Sequence, residues 1–541
     1  MAEHFQNEFT YRHFVESGKE SEFDRLFDEA VNNVEKNSLG KTWPMYIGGK
    51  EALSDETILE NSPIDGALIG IFQKGKREHA LQAIDVALEA FRQWSALNYK
   101  ERAKIFANAA SIFRKRKFEI AAILSIENGK SRYESVGEVD EAIDFLNYYS
   151  KEYVKNKGYL RKTSLEASSV KISAGFQGAP GPMEKITIAM KPYGVFGVLA
   201  PFNFPISISV GMSTGALITG NTVVFKPSST DNMSMLTGLK IYEVFKEAGV
   251  PDGVFNYITG PGSEVGDELV ISNKVSGIVF TGSRATGMSM MKKAIDIGLQ
   301  KVFVVEMGGK NPAIVSKYAN IDDAVSGIAS AAFGFDGQKC SACSRVYVHE
   351  SIKEEFISKL IEKTRTFKIG DPLKKEVYLG PLISKSALEK YKHAVEEAKT
   401  EGRLLYGGST VDTGLKGAYV EPAIVEISHN SRIMHDELFV PVLAIDTFNK
   451  FDEAIQKAND TEYGLTAGLY STKKSEIKEF LNNIQAGVVY VNRREGATTG
   501  AIVGAHTFVG WKGSGSTGKG TGSKHYLQQF LREQSLAVVK Q

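Results

Sequence analysis

The chain has 541 residues, of which 42% are hydrophobic and 24% charged, and its 65 Lys and Arg against 64 Asp and Glu leave a net charge of +1. That composition is globular and long enough for two or more domains, and it carries no overall field toward nucleic acid, a membrane surface or a polyanionic substrate. Two cysteines cannot staple so long a chain, so a reducing compartment, the cytoplasm, is expected, and the polar, acidic start "MAEHFQNEFTYRHFVESGKESEF" lacks the apolar core of a targeting signal.

The first long periodic segments, "REHALQAIDVALEAFRQW" and "ERAKIFANAASIFRKRKFEIAAIL", place apolar residues such as Ala80, Ile84, Ala87 and Phe91 at helical spacing and read as covering helices. Between residues 193 and 225 no side chain is charged. A membrane span is the tempting reading, but Pro201 and Pro205 break a helix and the Gly, Ser, Thr and Asn content makes lipid exposure costly, so a buried strand, turn and helix is expected. From Val195 the short apolar runs "VFGVLA", "TVVFK", "VFNYI", "SGIVF" and "VFVVE" alternate with helical stretches such as "NMSMLTGLKIYEVFKEAG" and "GMSMMKKAIDIGL". That βα repeat predicts a parallel sheet with helices on both faces.

The runs are followed in turn by "APFNFP", "KPSS", "TGPGSEVG", "TGSRATG" and "EMGGKNP". Open parallel sheets bind ligands at the carboxyl ends of their strands, where backbone N–H groups and helix N-termini face an anion, so these loops are predicted to share one functional edge. Beyond Gly309 the βα texture resumes with "NPAIVS", "RVYVHE" and two helical stretches, which predicts a second α/β domain carrying both cysteines, Cys340 and Cys343. The Gly- and Ser-rich insert 163–190 and the strand-like end "SLAVVK" each read as an edge in need of a partner, and together as an oligomerisation ribbon.

The cysteines admit several readings. A zinc site wants about four N or S ligands, but there is no third cysteine and histidines such as His349, His393, His429 and His435 are scattered, so no metal is expected. No thioredoxin-like unit precedes "CSAC", and the local signature of a papain-like hydrolase is missing; in isolation, two small buried hydrophobes would be the commonest reading. Two glycine runs could pass as phosphate loops. "GPGSEVG" is one residue too widely spaced at its end for the dinucleotide fingerprint, and "GSGSTGKG" (513–520) has Gly520 where a P-loop needs Ser or Thr and reads as a flexible turn.

In their order and intervals, "PFNFP", "KPSS", "FTGS", "EMGGKNP", "GQKCSACSR", "GPLIS" and "ELFVPV" resemble the aldehyde dehydrogenase superfamily, from about Trp43 to the C-terminus. "FQNEF", "EAIDFLNYYSKE" and the tail "NRREGATTGAIVGAHTFVGWKGSGSTGKGTGSKHYLQQF" are similar to the branch that oxidises L-glutamate γ-semialdehyde (1-pyrroline-5-carboxylate) to glutamate in proline catabolism. The resemblance implies an α/β fold with a Rossmann-type cofactor domain, a second α/β catalytic domain and a β-ribbon for oligomerisation. On this chain the parts would be 1–162 (N-terminal segment and helical part of the cofactor domain), 163–190 with 515–541 (ribbon), 191–308 (cofactor) and 309–514 (catalytic).

It further implies roles. Cys340 would be the nucleophile, its pKa depressed by neighbouring N–H dipoles, with the Asn203 amide and the Cys340 N–H as donors to the oxyanion. Glu306 would activate water on the thioester, a carboxylate that CoA-acylating relatives generally lack. Lys226, Ser229, Gly262, Gly266, Gly282, Ser283, Gly308, Glu437 and Phe439 would bind NAD, with NADP also possible because Ser229 stands where many NAD-preferring relatives place a Glu. Ser341, Gly500, Ala501, Phe508 and Glu141 would hold a small aldehyde substrate, and the protein would be a homo-oligomer, dimeric or higher. Val509 and the long loop 492–500 depart from the branch near the aldehyde's tail. An aldehyde dehydrogenase of other or broad specificity, a cofactor-free cysteine hydrolase and a non-catalytic relative are the alternatives.

Overall fold

The computed structural model describes residues 5–159, 184–231, 233–495 and 501–539. Among them, two seven-stranded sheets organise the chain. In the first, five parallel strands lie in the order Val302–Met307, Val275–Gly282, Val195–Leu199, Thr222–Lys226 and Phe255–Tyr257, and Met45–Ile47 and Lys50–Ala52 extend the last edge antiparallel. Strand order reverses on the two sides of Val195–Leu199, as in a doubly wound α/β sheet. Leu199 pairs with both Lys226 and Phe280, and Thr281 with Glu306, so the loops that follow these strands emerge together at one edge, as the βα repeat predicts.

Alternate residues of each strand enter different cores because successive Cβ atoms point to opposite faces. Phe196, Val198, Val223 and Phe225 pack into one core, with the helices of residues 99–155, while Val195, Leu199, Val224 and Ile278 pack into the other, with Ala80, Ile84 and Ala87 of the helix Arg77–Ala96. The second expected covering helix is in fact two, Tyr99–Lys115 and Lys117–Asn128, parted at Arg116 (φ −97°, ψ 13°). No Gly or Pro marks this break; Arg116 is held there by Glu119 and Glu243 at 3.0 and 2.9 Å. The uncharged stretch forms the expected strand, turn and helix Ser207–Ile218, with the strands fully buried and the helix buried except at Ile208, and no described helix is long and apolar enough to cross a membrane.

The second sheet has the order Arg403–Tyr406, Ala423–Glu426, Val442–Phe448, Cys343–His349, Asn311–Val315, Thr466–Tyr470 and Val488–Val491, parallel throughout except for the first pair. Separately, Glu184–Pro192 and Leu531–Val539 form an antiparallel two-stranded ribbon, registered from Pro192↔Leu531 to Glu184↔Val539. Residues 163–183 of the expected ribbon lie outside the described residues. At the other end the ribbon strand starts only at Leu531; the preceding Tyr526, Leu527 and Phe530 are buried in the first core, because three large apolar side chains there find the helix Ser207–Ile218 rather than solvent.

Candidate active site

The carboxyl ends of the first sheet's strands face the amino ends of the second sheet's strands. Asn203 follows Val195–Leu199, Lys226 ends Thr222–Lys226, Ser283 caps the helix Arg284–Asp296, and Glu306 stands near the end of Val302–Met307. From the other side come Cys340, just before Cys343–His349, and Glu437 and Phe439, just before Val442–Phe448. The run 513–520, expected to be a flexible turn, instead clamps this seam. Ser514 is fully buried; its Oγ donates to the Gly308 carbonyl at 2.7 Å and accepts the Gly464 N–H at 3.1 Å, and its carbonyl accepts the Met307 N–H at 2.8 Å. Gly515 then bridges Glu306 antiparallel, so the backbone hydrogen bonds that rigidify the run come from a strand more than 200 residues away in sequence.

Cys340, Ser341, Glu306, Glu141, Ala501 and Phe508 all line one cavity of about 480 Å³. Gly500 lies outside the described residues. Residues 7–12 form a further wall that nothing in their sequence assigns to a pocket; Asp144 holds them there by accepting from Asn7 Nδ2 at 2.8 Å and the Glu8 N–H at 2.9 Å. Beside the cavity, Asn203 is buried, and its Nδ2 donates to the carbonyl of Gln338, two residues before Cys340, at 3.0 Å. One amide hydrogen is thereby used to set the orientation, and the second is left for another acceptor. Val509, expected near the aldehyde's tail, is not on the wall; its backbone packs against Gly487, and the following N–H of Gly510 donates to Glu306 Oε2 at 3.0 Å.

The thiol of Cys340 does not have the depressed pKa that its N–H neighbours suggest. Burial and the carboxyls of Glu437 and Glu306 push it up to about 12, and the N–H groups of Ser341 and Cys340 itself only partly offset them. The same low-dielectric seam acts on the acids. Burial raises Glu306 to about 8 against the Gly510 N–H, Glu437 to about 7 against the Gly309 N–H at 2.8 Å, and Glu141 to about 7 against the Ser207 hydroxyl. A carboxyl poised near neutrality beside a thiol is suited to proton transfer. A Cβ on Gly308 would meet Glu437 Oε2 at 2.1 Å, so glycine is required there for the carboxyl's approach.

Apart from Phe439, which comes from the second sheet's side, the remaining cofactor candidates lie along the carboxyl edge of the first sheet, outside this cavity. Lys226 is buried, and among the described residues no carboxylate pairs with it; its Nζ donates to the Pro227 carbonyl at 3.2 Å, and desolvation lowers its pKa to about 8. Ser229 turns its buried hydroxyl to the same carbonyl at 3.0 Å. Ser283 caps its helix by accepting from the Thr286 N–H, and Gly282 packs against Phe280. Among the described residues, no heavy atom beyond the glycine's own chain neighbours and helix backbone lies within 4 Å of where a Cβ would stand on Gly262 or Gly266, which leaves an open cradle beside the backbone. Phe439, at φ 59°, meets the ring of Phe202 at 5.9 Å. An under-partnered buried cation, a capped helix N-terminus and an open glycine cradle on one sheet edge fit a dinucleotide.

Cys343 is a free thiol buried in the second domain's core, away from the cavity. Arg345, the last residue of "GQKCSACSR" and without an assigned role in the sequence, is fully buried and donates to the carbonyls of Lys310 at 2.9 Å and Ala458 at 2.7 Å, fixing the start of the strand behind Cys340. Among the described residues one trio of possible metal ligands assembles, His429, His435 and Asp460, with neither cysteine in it; there Asp460 already engages His429 Nε2 at 3.0 Å and the Tyr347 hydroxyl meets its Nδ1 at 2.9 Å.

The sequence profile of the aldehyde dehydrogenase family matches residues 51–536. A 1-pyrroline-5-carboxylate dehydrogenase of Geobacillus sp. (strain WCH70) is 37% identical over 510 residues, covering 93% of this chain and 94% of the relative. Among solved structures, the 1-pyrroline-5-carboxylate dehydrogenase from Thermus with bound NAD superposes with a TM-score of 0.90 at 33% identity, covering 100% of both chains. The aldehyde dehydrogenase KauB from Pseudomonas aeruginosa gives 0.85 at 27% identity over 95% of this chain and 99% of its own. With a match of this extent and a thiol, a buried carboxyl and an amide gathered at the seam of two α/β domains, the chain belongs to the aldehyde dehydrogenase family.

Proposed function

We propose that this protein is an NAD-dependent dehydrogenase that oxidises L-glutamate γ-semialdehyde to glutamate. The observation that carries the reading is the shared cavity, in which the Cys340 thiol and the Glu306 carboxyl face the same space and Ser341, Ala501 and Glu141 supply polar groups around it. Cys340, its thiol proton released to water, attacks the aldehyde carbonyl as the thiolate to give a thiohemiacetal oxyanion, and the free amide hydrogen of Asn203 together with the Cys340 N–H meets the negative oxygen, an effect worth about 3 kcal/mol per donor. Lys226, Ser283 and Glu437 would hold a nicotinamide dinucleotide, which when bound would supply the hydride acceptor needed to turn the adduct into a thioester on Cys340. Glu306 takes a proton from water as that water attacks the thioester, and the carboxylate product leaves. The mechanism requires no metal. The relatives' names support the substrate; we place the enzyme in the cytoplasm as a homo-oligomer built through the ribbon Glu184–Pro192 and Leu531–Val539, whose residues 532–538 are exposed.

Glutamate semialdehyde carries an α-carboxylate and an α-ammonium far from its carbonyl. Ser341 can donate to the first, as can the N–H of Ala501, and Glu141 can accept from the second once ionised. A site built to pair polar groups rejects analogues that lack them far more strongly than an apolar pocket discriminates methylenes. The semialdehyde is therefore expected to exceed pentanal by at least about a hundredfold in kcat/KM, about 3 kcal/mol, and Ser341→Ala and Glu141→Ala to shrink the ratio chiefly through the charged substrate. Equal use of pentanal in an absorbance assay of NADH would instead make this an aldehyde dehydrogenase of other specificity.

Ser229 presents no charge to a 2′-phosphate on the adenosine ribose. NAD is expected as the default with NADP used at less than a thousandfold disadvantage, about 4 kcal/mol, and Ser229→Glu is expected to widen the gap. Measured kcat/KM for the two cofactors checks this; a larger discrimination in the unmodified protein would assign the exclusion to another group.

A further inference from the structure

We propose that Lys130 and Glu138 are positioning residues for the oxyanion donor, acting through the turn that carries Asn203. The inference rests on the assignment of Asn203 to that role. Both side chains are fully buried and paired with each other, and each also grips the turn. Lys130 Nζ donates to the backbone carbonyl of Asn203 at 2.6 Å, and Glu138 Oε1 accepts the N–H groups of Ile206 at 2.8 Å and Ser207 at 3.2 Å. The pair thus holds the two ends of a five-residue turn, 203–207, in which Asn203 is the first residue. Between these anchors the Lys130 ammonium sits over the ring of Phe204 at 3.8 Å and, from the Cys340 side, that of Phe335 at 4.8 Å.

The geometry connects to the nucleophile as well. Glu138 lies on the helix Arg132–Lys155, and Glu134, one turn earlier on the same face, is paired with Lys339, the residue before Cys340. One helix therefore fixes the donor's loop through Glu138 and Lys130, and the thiol's loop through Glu134 and Lys339. The two loops meet where Asn203 Nδ2 donates to the Gln338 carbonyl at 3.0 Å. A donor contributes to the transition state only if it is already aimed at the developing oxyanion, and an error of about 1 Å in such placement slows a reaction by about a hundredfold. A charged pair suits this task because the Asn203 carbonyl and the first N–H groups of the helix Ser207–Ile218 are all buried and need partners that a hydrocarbon cannot supply.

The test is the double variant Lys130→Met/Glu138→Gln. Met keeps the volume of Lys, and Gln can still accept the Ile206 and Ser207 N–H groups. The change therefore cuts the tether to Asn203 without leaving a lone buried charge, whereas Lys130→Met alone would strand Glu138 and risk misfolding. The first turnover is followed as NADH released per site, in the unmodified protein and in an Asn203→Ala background, with thermal midpoints recorded alongside. The double variant is expected to stay folded and to slow the burst by about 10- to 100-fold with little change in the KM for NAD, and to add almost nothing in the Asn203→Ala background, since both changes remove the same aimed donor. An unchanged burst, or a loss that multiplies with that of Asn203→Ala, overturns the positioning role. An Asn203→Ala protein that acylates at the unmodified rate instead overturns the oxyanion assignment on which the inference rests.

Discussion

Cys340→Ala is expected to abolish aldehyde oxidation, by more than about ten-thousandfold, while Cys343→Ala keeps most of it. The two thiols lie three residues apart in sequence but face different surroundings. Cys340 opens onto the 480 Å³ cavity with Glu306, Glu141 and Ser341, whereas Cys343 is 1% exposed and packed in the second domain's core. Cys343→Ala removes a small buried side chain and should cost about 1 kcal/mol of stability, visible as a shift of a few degrees in the thermal midpoint, with the chemistry intact. Steady-state NADH production in both variants decides it; comparable losses would mean that the two sulfurs act as a redox pair. The raised thiol adds a second readout. In the cofactor-free protein, alkylation of Cys340 by iodoacetamide should be slow at neutral pH and accelerate as pH climbs toward about 12, because only the thiolate reacts.

Glu306→Gln is expected to release one fast equivalent of NADH per site and then stall, with steady-state turnover down by about a hundredfold or more. Acylation survives because Glu306 is one of two carboxyls that hold the Cys340 thiol up, so an uncharged amide there does not oppose the thiolate. Deacylation fails because Gln cannot take a proton from water. The pH dependence follows from the same burial. A carboxyl raised to about 8 is mostly neutral below that value and becomes a competent base above it, so turnover limited by deacylation should rise with pH through about 8 in the unmodified protein and lose that rise in the variant. Stopped-flow NADH absorbance resolves the burst from the steady state, and an unslowed steady state would remove Glu306 from the mechanism.

Much of the cavity's wall is legible in the motif order. Residues 341, 501 and 508 stand in runs whose resemblance assigns them to the substrate, and all three line the same cavity as Cys340 and Glu306. The N-terminal wall, residues 7–12, is not legible, since a polar stretch gives no sign of what it covers until Asp140 and Asp144 on the helix Arg132–Lys155 draw it in. The same holds for Val509, which is not among the residues that line the cavity; its carbonyl and Cγ1 lie against Gly487 instead.

The sequence by itself determined the class of fold and the chemistry on offer. Short, near-continuous apolar runs alternating with period-3.6 helices specify doubly wound sheets through burial, and loops at strand ends specify which residues can meet a ligand. Only the tertiary structure decided the electrostatics and the rigidity. Cys340 is pushed up rather than down because burial adds to the charges of Glu437, 97 residues further on, and Glu306, 34 residues before it, which converge on it. The run 513–520 is a clamp rather than a flexible turn because its hydrogen-bond partners belong to the strand Val302–Met307 and to Gly464. Local sequence encodes period and turn preference, but a pKa and a clamp depend on groups that only folding brings together.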